Sequence, residues 1–208
     1  MPSEPLSTIQ ARLVSQGVAP SHLARMAAVH QLCERSPHCL GVALVGSVAK
    51  GCADRVSDLD LAAFVADDRE AEFMAQAHEV LSRDPILNDY GQSRSGVVAF
   101  RKYVYLDFAS CEFHAFNVRA PFKLRRPFIA VWDPMDFLET LVVDEPPPSH
   151  ESFQPYSHGD EGLIWELVDC IKWLSRGHSH LAKNYLAGLG QAVVASDGHA
   201  APPRHPPS

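Results

Sequence analysis

The sequence is short of the features that mark disulfide-rich, membrane and general nucleic-acid-binding proteins. Its 208 residues include five cysteines, none of them in a Cys-x-x-Cys pair, so neither a disulfide framework nor a zinc site of that kind is predicted. No apolar run approaches the roughly 20 residues that a membrane-spanning helix requires. Lysine and arginine number 18 against 25 aspartates and glutamates. This acidic balance argues against a nucleic-acid partner, whose recognition depends on clustered basic residues.

Familiar nucleotide-binding and targeting motifs are missing as well. The chain has neither a G-x-x-x-x-G-K phosphate loop nor the paired glycines of dinucleotide-binding proteins. Its first residues, MPSEPLSTIQ, lack the charged start and apolar core of a signal peptide. With 46% hydrophobic and 21% charged residues, the composition is that of an ordinary globular protein. We expect a cytoplasmic protein with no membrane partner, and both a monomer and a homodimer are compatible with the sequence.

The main candidate functional residues lie in one stretch of the sequence, LVGSVAKGCADRVSDLDLAAFV. It contains a predicted strand, Ser57–Val65, that bears Asp58 and Asp60. These two residues share a face because alternate side chains of a strand point the same way. Adjacent carboxylates repel each other unless a cation lies between them, and a hard divalent ion such as Mg²⁺ prefers oxygen ligands. The pair therefore predicts a divalent-metal site.

The same stretch begins with a candidate phosphate site. The apolar run Leu40–Val45 predicts a buried strand that ends at Gly46. The backbone N–H groups of Gly46 and Ser47, at a turn from strand to helix, suit a phosphate group. Metal and phosphate sites are thus separated by a short segment of chain.

This arrangement resembles the signature of the polymerase β-like nucleotidyltransferase superfamily. That signature is Gly-Ser, a spacer like the ten residues between Ser47 and Asp58 here, and Asp-x-Asp between apolar residues. The string GSVAKGCADRVSDLDL is most similar to small stand-alone members, among them antibiotic (aminoglycoside-type) nucleotidyltransferases, which commonly show GSxARGxAxxxSDLDL. Lys50 stands where these often have arginine, which keeps the charge but loses the bidentate fork. The resemblance implies nucleotide binding by four residues: Gly46, Ser47, Lys50 and Ser57.

The resemblance also implies a fold and an activity. The expected fold is of the α/β (α+β) class, a nucleotidyltransferase-type mixed β-sheet flanked by helices, with a C-terminal helical hairpin or bundle. The expected reaction transfers a nucleoside monophosphate, foremost AMP from ATP, to a hydroxyl of a small molecule such as an aminoglycoside or lincosamide. Pyrophosphate is released, and two Mg²⁺ ions would be held by Asp58, Asp60 and a third carboxylate.

Two residues are candidates for the third carboxylate. Family members carry it on the strand beside the Asp-x-Asp strand, and the β-rich section from Val97 to Val118 must supply it here. Glu112, in Cys-Glu-Phe-His-Ala-Phe, is favoured because this run resembles the strand that carries the third carboxylate in the family. On that interpretation Glu112, His114 and Phe116 share one face. Asp107 is the alternative, and it is expected in a turn.

The chain is predicted to divide into a catalytic domain and a helical region. Residues 1–142 form the catalytic domain, and residues 143–159 form a proline-rich linker. Residues 160–195 have the periodicity of two amphipathic helices, and residues 196–208 are expected to be disordered. Within the catalytic domain we expect one or two helices over 6–34 and a helix over 67–82, with Ser21 and Asp67 or Asp68 as N-caps. A loop is expected around residues 88–96, and strands are expected over 97–100 and 104–108.

Two other functions remain open at this point. One is a protein-modifying enzyme, comparable to antitoxins that adenylylate a partner toxin, although those are usually shorter and lack a C-terminal helical region. The other is a nucleotide-binding module without catalysis, which an absent third carboxylate would favour. Measurement of ATP binding alongside turnover distinguishes the module from the enzymes.

Overall fold

A six-stranded mixed sheet organises residues 1–147, the first of two units into which the chain divides. The computed structural model describes residues 4–66, 68–145 and 154–197. In spatial order the strands are β3-β4-β5-β2-β1-β7; β2 and β5 run parallel, and the other neighbours run antiparallel. Their bounds are β1 Cys39–Leu44, β2 Leu59–Val65, β3 Ile86–Arg94, β4 Val98–Tyr105, β5 Ser110–Asn117 and β7 Ile129–Trp132. The predicted class, a mixed sheet flanked by helices, is confirmed.

Helices cover one face of this sheet. They are α1 Leu6–Ser15, α2 Pro20–Arg35 and α4 Glu70–Leu81, and a single turn, α3 Gly46–Ala49, follows β1. Met26 of α2 and Phe73 of α4 are 0% and 2% exposed and belong to one core cluster with alternate residues of β2, such as Leu61 and Ala63. Burial of these apolar side chains ties the helices to the sheet.

The opposite face of the sheet is covered near its centre by a second apolar cluster. Phe64 and Phe116, from the parallel strands β2 and β5, stack with their ring centroids 5.7 Å apart. Leu124 and Leu138 complete the cluster. Leu124 begins β6 (Leu124–Arg125), which pairs in parallel with β8 (Val142–Val143). These short segments leave the N-terminal ends of β2 and β5 outside the cluster.

Two local predictions about the catalytic domain are wrong. The segment expected to be a loop around residues 88–96 is mostly strand β3, which forms a hairpin with β4 from Ile86↔Tyr105 to Arg94↔Val98. Its own sequence is polar, and the pairing with β4 overrides that weak local preference. Val97–Phe108, expected as two strands, contains the single continuous strand β4.

The helix caps also differ from the prediction. Ala19 is the N-cap of α2, and Pro20 takes the first helical position, which suits a residue without an N–H. Ser21 therefore lies inside the helix. α4 starts at Glu70 after Arg69, and Asp68 instead accepts a hydrogen bond from the side-chain amide of Asn117.

The second unit, residues 148–208, contains a helical hairpin in its described part. Helix α5 spans Gly159–Ser175 and α6 spans Ser179–Asp197, which confirms the predicted C-terminal hairpin. Trp173 packs edge-on against Tyr185 between them. The proline-rich stretch 146–153 and the tail 198–208 lie outside the described residues. None of the helices in the described ranges is long and apolar enough to cross a membrane.

Two charged side chains of this hairpin, Lys172 and Glu166, are buried. Lys172 is 4% exposed; its Nζ lies 3.0 Å from Asp169 Oδ1 and 4.6 Å from the centre of the Trp165 ring. Glu166, 5% exposed, accepts hydrogen bonds from the Tyr156 N–H and the Tyr185 hydroxyl. Lys172 and Glu166 therefore each have at least one partner within the helical unit.

Candidate active site

The glycine and the second aspartate of the motif touch each other. Gly46 follows β1 and has φ +70°, a conformation that side chains disfavour. A Cβ atom on Gly46 would lie 2.0 Å from Asp60 Oδ2, so only glycine leaves room for the carboxylate. The Val45 N–H also donates to the Asp60 carbonyl at 2.9 Å. The fold thus brings the two halves of the motif, separated along the chain, into direct contact.

Asp58 lies just before β2 and is oriented by the neighbouring strand. The prediction placed it within a strand, but β2 begins at Leu59. In the parallel pairing, Leu59 is opposite Cys111, so Asp58 lies beside Ser110 at the start of β5. The hydroxyl of Ser110, a residue 1% exposed, donates to Asp58 Oδ1. This hydrogen bond fixes one carboxylate oxygen of Asp58.

Glu112 is the register neighbour of Asp60. Asp60 pairs with Glu112 across the parallel strands, and neighbouring strands lie about 4.8 Å apart. Glu112 is held between two donors on its own face of the sheet. Lys102 Nζ, from the cross-strand position on β4, is 3.1 Å from Glu112 Oε2, and His114 Nε2 is 2.9 Å from Oε1. The predicted shared face of Glu112 and His114 is therefore present.

The surroundings of Glu112 keep it ionised. Burial by itself raises the pKa of this carboxyl, but the His114 hydrogen bond and the positive charge of Lys102 outweigh it and lower the pKa to about 2. The side chain is 26% exposed, so a ligand can still reach it. Glu112 is a carboxylate at any ordinary pH.

Asp107, the alternative third carboxylate, lies in the turn between β4 and β5. Its Oδ1 accepts a hydrogen bond from the Ala109 N–H at 3.0 Å, and its Oδ2 lies 3.9 Å from Nη2 of the buried Arg25. The side chain is 52% exposed. Asp107 is thus a turn residue, as expected, and the strand position beside Asp60 belongs to Glu112.

The predicted nucleotide-binding residues occupy the turns that precede the aspartates. Ser47 lies in α3 and is half-buried, and Lys50 follows that helix with an exposed side chain. Ser57 is 4% exposed, and its hydroxyl donates to Asp54 Oδ1 and accepts from the Asp54 N–H, both at 2.9 Å. Ser57 therefore shapes the turn that leads into Asp58.

The donor set suits a hard cation. Asp58, Asp60 and Glu112 supply oxygen ligands, which Mg²⁺ prefers, and the register places two of these residues side by side. Within residues 4–66, 68–145 and 154–197, no group of three or more His, Cys, Asp or Glu side chains converges tightly enough to hold a metal ion. Glu112 is engaged by Lys102 and His114 instead, so metal binding by all three carboxylates requires Glu112 to turn.

Three residues of this site were not predicted from the sequence: Ser110, Lys102 and His22. Ser110 and Lys102 reach the carboxylates across strand pairings, and nothing in the local sequence reveals those pairings. His22 comes from α2, where its Nε2 lies 2.9 Å from the Ser57 carbonyl. Only the packing of α2 on the sheet reveals this contact.

Comparisons with known proteins add little to this geometry. No protein-family model matches the chain, and no curated protein matches it. Among solved structures the chain is similar to "Structure of Cid1 in complex with its short product ApU", with a TM-score of 0.33 and 20% identity, over 48% of this chain and 30% of that one. The chain spans less than a third of that protein. Because the TM-score is low, neither the fold nor the function of this chain is inferred from the similarity.

Proposed function

We propose that the protein transfers a nucleoside monophosphate, foremost AMP from ATP, to a hydroxyl of a small-molecule acceptor such as an aminoglycoside or a lincosamide, with release of pyrophosphate. The observation that carries this proposal is the contact between the two halves of the motif. Asp60 lies so close to Gly46 that a Cβ there would be 2.0 Å from Oδ2. This close approach supports a single site in which the Asp60 carboxylate binds metal and the glycine turn binds phosphate.

The acidic residues have separable roles in this reaction. Asp58 and Asp60 would hold Mg²⁺, with two ions expected, and Glu112 would be the third ligand if its carboxylate exchanged its contact with Lys102 for the metal. When bound, Mg²⁺ stabilises the charge that develops on the attacking and leaving oxygens. The Ser110 hydroxyl keeps Asp58 turned toward the site. Asp107 remains the alternative third ligand.

The residues around the glycine turn bind the triphosphate. The Gly46 and Ser47 N–H groups and the Ser47 hydroxyl donate to phosphate oxygens, and Lys50 offsets the charge of the leaving pyrophosphate. Ser57 supports nucleotide binding through the turn it forms with Asp54. The net charge of −7 suits a cationic acceptor, which electrostatic attraction would draw to the protein.

The pairing of Glu112 with Lys102 favours one competing function, a nucleotide-binding module without turnover. A lysine 3.1 Å from the carboxylate already neutralises the charge that a second ion would neutralise. In such a module ATP binds and stays intact. An assay that measures binding and turnover together separates the two functions.

The test is pyrophosphate release with Mg²⁺ and each of the four nucleoside triphosphates. The acceptor panel contains aminoglycosides, lincosamides, simple hydroxyl compounds and a short RNA. We expect release that depends on a small-molecule acceptor and disappears in Asp60→Ala. ATP binding without release for every acceptor would overturn the proposal in favour of the module or of a protein acceptor, and release with RNA alone would overturn the choice of acceptor.

A further inference from the structure

His22 is a buried histidine directly behind the candidate metal site. It lies in the first turn of α2 and is 5% exposed. Its Nε2 is 2.9 Å from the Ser57 carbonyl oxygen. Because a carbonyl can only accept, Nε2 carries the hydrogen and donates. The ring is thus fixed in one tautomer, with a lone pair on Nδ1.

The other ring nitrogen indicates that the ring is neutral. Nδ1 is buried and has no hydrogen-bond partner among the described residues. Burial lowers the pKa of His22, and the Ser57 hydrogen bond opposes this effect without cancelling it. A buried polar atom without a partner costs stability. An apolar residue at this position would avoid that cost. What His22 provides in return is the hydrogen bond that its Nε2–H donates to the Ser57 carbonyl.

The Ser57 carbonyl belongs to the peptide unit that leads into Asp58. A peptide unit is planar and includes the Cα atoms on both sides, so fixing its oxygen fixes the direction in which the chain enters Asp58. The rest of Ser57 is already held, because its N–H donates to the Asp54 carbonyl at 3.1 Å and its hydroxyl bonds to Asp54. The His22 hydrogen bond therefore connects this peptide plane to α2.

We propose that His22 is a positioning residue for the metal site: through the Ser57 carbonyl it holds Asp58 in the orientation in which Asp58 and Asp60 bind a divalent cation together. This inference rests on the proposed function, because it assumes that the two aspartates bind metal. Ser110 holds the Asp58 carboxylate from the strand side, and His22 holds its backbone from the helix side. Removing either contact loosens the same ligand.

The test compares variants that keep or remove the donor. His22→Gln places an amide N–H near the position of Nε2, whereas His22→Leu has a similar volume and no donor. His22→Asn is polar but too short to reach Ser57, and it replaces the leucine variant if that variant does not fold. Val29→Ala, at a fully buried α2 position two turns further on, controls for general loss of stability, which thermal unfolding monitors in every variant.

Binding of Mn²⁺ to the full chain, measured by electron paramagnetic resonance, is the readout that does not need turnover. We expect Kd in His22→Gln to stay within about twofold of the unmodified protein, and a weakening of about tenfold in His22→Leu or His22→Asn. Val29→Ala should bind Mn²⁺ normally. In the transfer assay, excess Mg²⁺ should restore the rate of His22→Leu.

Each contrary outcome identifies which idea fails. If Mn²⁺ binds tightly to the unmodified protein, is lost in Asp60→Ala and is unchanged in His22→Leu, the role of His22 is overturned and the proposed function stands. Equal weakening in His22→Gln and His22→Leu also overturns that role, since the loss would not follow the hydrogen bond. If Asp60→Ala binds Mn²⁺ as the unmodified protein does, the metal site itself is wrong.

Discussion

A buried or half-buried carboxylate lies near each end of the parallel strands β2 and β5: Glu112 is on β5 itself, and Glu70 is at the start of α4 and contacts Asn117 of β5. The two differ in their surroundings. At the N-terminal end, Glu112 is 26% exposed and lies between Lys102 and His114. Near the C-terminal end, Glu70 is 1% exposed and accepts hydrogen bonds from the Gly96 N–H and the Asn117 amide. A carboxylate held by neutral donors and closed off from solvent stabilises the fold. One that remains partly accessible can exchange its partners for a ligand.

We therefore expect Glu112, the accessible carboxylate, to contribute to function and Glu70, the buried one, to contribute to stability. The same register that pairs Asp60 with Glu112 also pairs Val65 with Asn117, so one sheet positions both groups. Removing charge at the accessible end should impair turnover and leave the fold intact. Removing the charge of Glu70, at the buried end, should destabilise the fold and leave turnover unchanged. The following substitutions test that division.

The largest effect is expected for Glu112→Gln. On the proposed function Glu112 is the third metal ligand, and loss of such a ligand removes several kcal/mol of transition-state stabilisation, which corresponds to about 100-fold or more in turnover. Asp107→Asn is the matched variant, since Asp107 is the other candidate for the third ligand, and it should keep most of the activity. Steady-state pyrophosphate release measures both. The reverse ranking would transfer the role of third ligand to Asp107.

The next effect is expected for Gly46→Ala. The new Cβ would lie 2.0 Å from Asp60 Oδ2, so the carboxylate must move, and we expect turnover to fall at least about tenfold. Gly17→Ala is the control, because Gly17 has a similar φ of +79° and nothing within 4 Å of the added atom. Both variants bear the backbone strain of about 1–3 kcal/mol, which denaturant unfolding measures. Equal turnover in the two would show that Asp60 tolerates displacement.

Glu70→Gln should change stability rather than turnover. The amide replaces one acceptor oxygen with a donor that faces the Gly96 N–H or the Asn117 amide, so one buried hydrogen bond is lost. We expect the free energy of unfolding to fall by about 1–3 kcal/mol, with turnover unchanged well below the melting temperature. A loss of turnover that matches Glu112→Gln would contradict the division between the two ends.

The smallest effect is a pH dependence of stability from His22. Burial lowers the pKa of His22 in the folded state, so the unfolded state takes up the proton first as the pH falls. The free energy of unfolding should therefore decrease as the pH drops below the unfolded value of about 6.5. His22→Gln should flatten this decrease, as measured by urea unfolding between pH 7.5 and 5. An identical slope in the variant would mean that His22 is not protonated on unfolding.

Several features of the fold were predictable from sequence because they depend on local pattern. The periodicity of residues 160–195 predicted two helices, and α5 and α6 are present. The apolar run before Gly46 predicted β1, and the mainly apolar segment that follows Asp58 predicted β2. The loop predicted around residues 88–96 was wrong because β3 owes its conformation to pairing with β4, and the capping role predicted for Ser21 was wrong because Pro20 starts the helix.

The candidate site also combines features that the local sequence predicts with features that it does not. The sequence by itself determined that a glycine turn at Gly46 and the pair Asp58 and Asp60 are close along the chain, and the proposal of nucleotidyl transfer began from the resemblance of that pattern to a known signature. Only the tertiary structure decided that Glu112 lies beside Asp60, that Lys102 neutralises it, and that His22 holds the Ser57 carbonyl. Those contacts depend on strand register and helix packing, which arise from burial across the whole domain and leave no mark in any short stretch of sequence.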